Sequence, residues 1–162
     1  MVAFFPQIMS EGVETYLGGF YSPIGVSIGH IGLMNTKGNV GAGVYGTSRR
    51  LFIIGPGKAT FPSSLNKIAA GSGKGDFVPS ILTKDQNDAL IGALTQNKQF
   101  EIGRSQVTQI EVKKPPGFLR TGSLRITSAD GQILDIRISL NMHYEWTVRI
   151  VQAFKPEAVT LD

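Results

Sequence analysis

Ser123-Leu124-Arg125-Ile126-Thr127-Ser128-Ala129-Asp130-Gly131-Gln132-Ile133-Leu134-Asp135-Ile136-Arg137-Ile138-Ser139-Leu140 is the stretch whose reading decides the fold. Apolar side chains fall at alternate positions: Leu124 and Ile126, then Leu134, Ile136 and Ile138. Such alternation turns one face of a strand to a core and the other to water. Asp130-Gly131 stands between the two runs, and Asp-Gly favours a two-residue hairpin turn. Strands over Ser123–Thr127 and Ile133–Leu140 follow. Upstream, Phe100–Ile102 and Val107–Val112 also read as strands, with Lys113-Lys114-Pro115-Pro116-Gly117 as the turn that follows.

Composition agrees with a mainly β domain. The chain has 162 residues, 41% hydrophobic and 17% charged, with 20 glycines and 8 prolines. A single domain of this size buries about 70% of its unfolded surface, enough for a core. The apolar content excludes an intrinsically disordered chain. With no cysteine, disulfide and thiolate chemistry are excluded. The net charge of +4 is compatible with anionic partners without requiring one. Met1-Val2-Ala3-Phe4-Phe5-Pro6 lacks the basic start and long apolar run of a secretory leader. Tyr21–Met34 is too short and too glycine-rich for a membrane span, and Ile24, Val26, Ile28 and Ile31 read there as buried strand residues. The expectation is a cytoplasmic protein, with peripheral attachment to a membrane as its alternative.

The first half reads less evenly. Residues 1–11 are an apolar lead-in. Residues 12–34 read as one or two strands broken at Gly18-Gly19 and Ser22-Pro23, and 35–39 as a turn. Gly43 to Ile54 reads as one strand ended by Gly55-Pro56-Gly57. On such a strand Arg49 shares a face with Tyr45, Leu51 and Ile53, and Arg50 with Phe52 and Ile54. One of the two arginines then needs a carboxylate or carbonyl partner at the core edge. Residues 58–82 carry no clear pattern, with a flexible loop by composition at Gly71–Asp76; against the family pattern described below, residues 58–98 would be an insertion. Thr83-Lys84-Asp85-Gln86 has the form of a capping box, and Ala89, Leu90, Ala93 and Leu94 continue it as an apolar stripe. The spacing predicts a helix over about Lys84–Thr95. The tail is open between two readings. Met142, Tyr144, Trp146, Val148 and Ile150 alternate as in a strand, while Met142, Trp146, Ile150 and Phe154 recur at helical spacing. Pro156 ends either one.

Gly43-Val44-Tyr45-Gly46-Thr47-Ser48-Arg49-Arg50-Leu51 resembles a strand of bacterial pleckstrin-homology-type and GRAM-like domains that reads roughly Gly-x-Leu/Tyr-x-Thr-x-x-Arg-Leu. Val107–Lys114, Gly122–Ile126, Asp130-Gly131 and the ending Trp146–Phe154 before Pro156-Glu157 are similar to later parts of the same pattern, so the resemblance spans roughly residues 12–157. It implies a bent antiparallel barrel of about seven strands. A C-terminal helix would cap it with Trp146, Ile150 and Phe154, and the helix near 84–95 would be inserted between strands. It also implies that headgroup-binding members use basic residues by the first strand loop. Residues 12–34 contain no Lys or Arg, a departure that counts against that ligand.

Signals for catalysis are weak. Gly41-Ala42-Gly43-Val44-Tyr45-Gly46 has dinucleotide-loop spacing, but a β-type run follows it and residues 55–70 contain no Asp or Glu. In Gly71-Ser72-Gly73-Lys74-Gly75, Ile68 stands where a phosphate loop needs glycine, and Gly75 where it needs Ser or Thr. His30 and His143 have no second histidine at ligand spacing, and no Gly-x-Ser-x-Gly elbow is present. The expectation is therefore no cofactor, no metal and no enzyme, an enzyme with an unrecognised site being the last alternative, and each histidine is expected to be a satisfied structural or a surface residue. The basic residues Lys113, Lys114 and Arg120, with Arg49 and Arg50, are the candidate ligand or partner contacts. Thr83, Asp130, Gly131, Trp146, Ile150 and Phe154 are expected to be structural. The leading reading is a binding or scaffold module for another protein or for its own copy, contacting it through exposed strand edges and the apolar lead-in. An anionic lipid surface met by Lys113, Lys114 and Arg120 is the alternative partner, and nucleic acid is disfavoured.

Overall fold

The computed structural model describes residues 13–31, 34–35, 40–55, 82–117 and 121–162. The lead-in, the Gly71–Asp76 loop and Arg120 lie outside the described residues. The strands are β1 (Tyr16–Ile31), β2 (Met34–Asn35), β3 (Val40–Thr47), β4 (Arg50–Ile54), β5 (Lys98–Gly103), β6 (Val107–Lys113), β7 (Gly122–Ser128), β8 (Ile133–Ile138) and β9 (Val159–Leu161). The helices are α1 (Lys84–Asn97) and α2 (Asn141–Phe154), with 3-10 turns at Arg104–Gln106 and Pro156–Ala158. The protein is mainly β, as its composition indicates.

All the strands pair into one sheet in the order β5-β4-β3-β1-β8-β7-β6-β9, with β2 on β1. Neighbours are antiparallel except β6 and β9, which run parallel. The expected barrel does not close. Among the described residues no ladder joins β5 to the strands at the far end of the sheet. The physical reason is local: β5 passes into the Arg104–Gln106 turn before β6 begins, and β9 takes the outer edge of β6.

One strand serves both halves of this sheet. β1 pairs with β3 mainly over Tyr16–Ser22 and with β8 over Val26–Ile31. The glycine and proline signals expected to break the strand instead mark register shifts inside it, between Tyr16 and Gly18 and between Ser22 and Ser27. Gly25 has φ +82°, a conformation glycine adopts without steric cost. The irregularity puts Ile24 outside, 68% exposed, whereas Val26 and Ile28 are buried. The expectation that Ile24 is a core residue is thereby corrected.

Gly43–Ile54 is two strands rather than one. A hairpin turns at Ser48-Arg49, where the Thr47 hydroxyl accepts bonds from the backbone N–H groups of Arg49 and Arg50 at 3.2 and 2.9 Å. A hydroxyl that satisfies two turn amides competes with a continuous ladder. The turn breaks the expected alternation: Arg49 lies on the hairpin, Tyr45 packs with Phe52 and Ile54 rather than with Leu51 and Ile53, and Arg50 shares the face of Phe52, its guanidinium 4.8 Å from that ring's centroid. Asp130-Gly131 also turns differently from expectation. Gly131 N–H donates to Ser128 O at 3.0 Å and Ser128 N–H to Gln132 O at 2.9 Å. The loop thus holds three residues, with Gly131 at φ +87° as the left-handed one. β8 stops at Ile138, short of the expected Leu140.

The tail is a helix, and its burial explains the choice. Ile150, Val151 and Phe154 of α2 join Phe20, Val26, Val44, Leu51, Ile110, Leu124 and Ile136 in the inner core. A helix lays this stripe across the inner face of the sheet, where all three side chains are buried at once. Trp146 is half-buried, edge-on to Phe20. Pro156 opens a 3-10 turn, and β9 then follows, an element with no counterpart in the sequence reading.

α1 forms where its capping box predicts, with Gln86 N–H donating to the Thr83 hydroxyl and Thr83 N–H to the Gln86 side chain. It packs on the opposite face of the sheet, where Leu90 and Leu94 meet Tyr16, Tyr45, Phe52 and Ile54. Glycine makes that face possible. A Cβ on Gly19 would stand 2.2 Å from the Tyr45 ring, which lies across the strand there. The inner core predicts a sharp contrast within α2. Ile150→Ala should cost about 2–5 kcal/mol in urea melts, whereas Met142→Ala, at an exposed position, should stay within about 0.5 kcal/mol. Equal losses would contradict the placement of α2.

Candidate functional site at the open seam of the sheet

The seam where the sheet fails to close is a cavity of ≈150 Å³ lined by Phe100, Ile102, Gln106, Ser128, Ala129 and Asp130, with Glu101 and Gln132 at its margin. β5 supplies one wall and the β7–β8 loop the other. Ala129 N–H donates to Gln106 O at 2.8 Å, tying that loop to the turn after β5.

The orientation of the β5 backbone follows from its ladder. Arg104 N–H donates to Arg49 O at 2.7 Å, just past the paired residues Gly103 and Arg50. Hydrogen-bonded and non-bonded pairs alternate along antiparallel strands. The amides of Ile102 and Phe100 therefore face β4, and those of Glu101 and Gly103 face the open side. Among the described residues Gly103 N–H reaches only the Gln106 side chain there, at 3.4 Å. Among the same residues the Glu101 N–H and C=O have no ladder partner and form a free edge at the cavity.

Side chains alternate too. The Glu101 carboxylate points to the outer face, where it accepts bonds from Lys98 Nζ at 2.5 Å and Arg50 Nη1 at 2.9 Å. Arg50 also donates to Glu14 from Nε at 2.9 Å and Nη2 at 2.7 Å, and the Thr47 hydroxyl donates to Glu14 at 2.5 Å. Burial raises the Glu14 pKa, but the bonds from Arg50 and Thr47 and the charges of Arg50 and Arg49 outweigh it, so the carboxyl sits below its ordinary value. Glu101 behaves alike, with burial opposed by Lys98 and Arg50. On the loop, the Asp130 carboxylate accepts from the Ser128 hydroxyl and from Gln132 N–H at 3.2 Å. These bonds hold its pKa below the usual value. Behind the seam, Arg104 Nε donates to Phe154 O at 3.1 Å, and Lys155 Nζ donates to Arg104 O and Val107 O at 2.8 and 2.7 Å. The end of α2 is thereby pinned to the turn that borders the cavity.

The expected contact residues do not gather in one place. Arg50 is the arginine that needs a carboxylate at the core edge, and it has two. Arg49 is exposed on the β3–β4 hairpin. Lys113 lies 3.6 Å from Glu111 at the far end of β6, with exposed Lys114 after it. Asp130, expected to be only structural, lines the cavity. Sequence reasoning missed Glu14, Glu101, Gln106 and Ser128. The need of one of Arg49 and Arg50 for a partner was the one available signal, and chain separation hid which acids supply it.

Lys113 and Lys114 instead lie toward an exposed apolar corner. Gly122 pairs with Ile138 and packs against the Lys113–Pro115 backbone, and Ser139 N–H donates to Gly25 O at 2.7 Å. Leu140 and Met142, 41% and 47% exposed, lie there with Ile24. Beneath them His143 is buried, its ring stacked on Phe20 at 5.4 Å, and burial lowers its pKa. Its Nδ1 has no hydrogen-bond partner among the described residues, so among them it is a buried histidine but not a satisfied one.

Among the described residues no group of three His, Asp or Glu converges as a metal site would, and no helix is long and apolar enough to cross a membrane. No protein-family model matches the chain, and no curated protein or solved structure is detectably similar to it.

The carboxylates around Arg50 make stability pH-dependent with a definite sign. Their folded pKa values are depressed, so their contribution is present above the unfolded value and is lost as pH falls through the folded one. Glu14→Gln should destabilise by about 1–3 kcal/mol at pH 7. The gap from the parent should shrink as urea melts are taken below about pH 4.5. A gap that holds constant to pH 3 would exclude this role for Glu14.

Proposed function

We propose that this chain is a non-catalytic, pleckstrin-homology-like binding module that takes hold of another protein at the free edge of β5. Two features support the fold reading. The strand order β5-β4-β3-β1-β8-β7-β6, with β1 shared between halves, and a helix directly after β8 suit the arrangement the sequence resembles. The open seam, the inserted α1 and the parallel β9 are this chain's departures from it.

The observation that carries the functional reading is the Glu101 backbone, a donor and acceptor unpaired among the described residues and beside a cavity. Exposed edges recruit extended segments, because main-chain hydrogen bonds supply affinity and adjacent pockets supply selectivity. A second copy of the chain is the other protein that such an edge can take.

The exposed Ile24, Leu140 and Met142 favour a second reading, in which this corner meets an anionic membrane with Lys113 and Lys114 beside it. Apolar insertion and basic attraction act together at such surfaces.

Gly103→Pro tests the first reading. Gly103 has φ −74°, close to the angle proline imposes, and its N–H faces the open side. The variant should melt within about 1 kcal/mol of the parent. In native mass spectra of protein purified from its source, the parent should retain a bound polypeptide and the variant should lose it. Retention by both, or by neither, would reject the edge as the contact. Sedimentation with phosphatidylserine vesicles at low salt tests the second reading. Binding should fall for Lys113→Glu and for Ile24→Asp, and an absence of parent binding would remove that reading.

A further inference from the structure

Resting on the edge-binding reading, we infer that the segment added to β5 belongs to a partner polypeptide and seats a lysine or arginine side chain in the seam cavity. Size, lining and charge each point to that chemistry. At ≈150 Å³ the cavity has room for one side chain and not for a second layer of structure; a void of about this volume holds one benzene-sized group. Phe100 and Ile102, which alternate with Glu101 along β5, supply an apolar wall. Ser128, Asp130 and Gln132 supply a polar rim at the outer end. A long aliphatic stem ending in a cation matches an apolar wall with an acidic rim, since lysine and arginine bury their stems while the charged head stays near water.

The rim charge is not already neutralised. Among the described residues Asp130 makes no ion pair, and its oxygens are engaged only by a hydroxyl and a backbone N–H. The cations around the seam are committed elsewhere. Arg50 and Lys98 hold Glu101, Arg104 holds Glu157 at 2.9 Å, and Lys155 donates to two backbone carbonyls. A ligand cation therefore meets an unopposed carboxylate. The edge next to it is directional: Glu101 N–H and C=O are the groups an incoming strand would bond. A residue of that strand lying opposite Phe100 or Ile102 shares their face of the sheet, so its side chain is directed to the cavity.

The probes are four capped nonapeptide libraries, degenerate over uncharged residues other than proline, with the central position fixed as Lys, Arg, Leu or Glu. Each is passed over the immobilised full chain, and amide exchange of ¹⁵N-labelled protein is followed with the same libraries. The Lys and Arg libraries should be retained about tenfold over the Glu library, with protection of the Glu101 and Gly103 amides. Asp130→Asn keeps a side-chain oxygen for Gln132 N–H, and its spectrum should show the parent fold. In this variant the Lys and Arg preference should fall to about twofold or less. Equal retention of the Leu library, or a preference that survives Asp130→Asn, would overturn the inference and leave edge binding standing. No retention and unchanged amides with all four libraries would overturn both. Protection of Glu101 that grows with protein concentration, without peptide, would assign the edge to a second copy and overturn the inference.

Discussion

The sixteen residues of β1 run through both halves of the sheet, and the slip in register between Ser22 and Ser27 lets them do so. Before the slip the strand bonds β3, and after it β8, with Ser27 paired to Val40 of β3 and Arg137 of β8 at once. A backbone has two edges, so a strand that changed its pairing this way can join two hairpin systems that share no other ladder. The bend around Gly25 is the cost-free point for the change, because the left-handed angle there needs no Cβ. Ile24 is turned to the surface as a by-product. The concavity that receives α2 follows from the same bend.

The two faces of the sheet are filled by different means. Inside, branched aliphatic side chains from nearly every strand close around Ile150, Val151 and Phe154. Outside, aromatic rings carry the packing. Tyr16, Tyr45 and Phe52 cover glycine-bearing strands, and α1 lays Leu90 and Leu94 on them. Burial raises the pKa of both Tyr16 and Tyr45, which keeps their hydroxyls neutral beneath the helix. Arg50 stands at the margin of this layer. Its stacking on Phe52 and its bonds to Glu14 and Glu101 join the segment before β1 to β4 and β5. That a guanidinium carries this junction is physically apt, since its planar fork satisfies two carboxylates and a ring face at once.

The seam is what remains when these constraints are met. β9 pairs with Ile110–Val112 on the outer edge of β6, and the 3-10 turn after Gly103 carries the chain away from β5. The arginine and lysine behind the turn hold α2 to it and so back the gap. Its lining brings together Asp130, Glu101, the Ser128 hydroxyl and the side-chain amides of Gln106 and Gln132, beside the apolar Phe100 and Ile102.

Local sequence placed the strands of the second half, the helix capped by Thr83 and a turn at Asp130-Gly131, because each depends on neighbours within a few residues, although the turn holds three residues rather than two. It also required a partner for one of Arg49 and Arg50, since a charge at a core edge demands one whatever the fold. The identity of that partner was beyond its reach: Glu14 is 36 residues away along the chain and Glu101 is 51. The helical form of Met142–Phe154 was likewise undecided until the concave face was there to receive it, as alternate and helical spacing coincide over so short a stretch. Tertiary structure alone decided that the sheet stays open. Closure is a matter of which edges meet in space, and β9, three residues after a proline with no periodic signal of its own, occupies one of them.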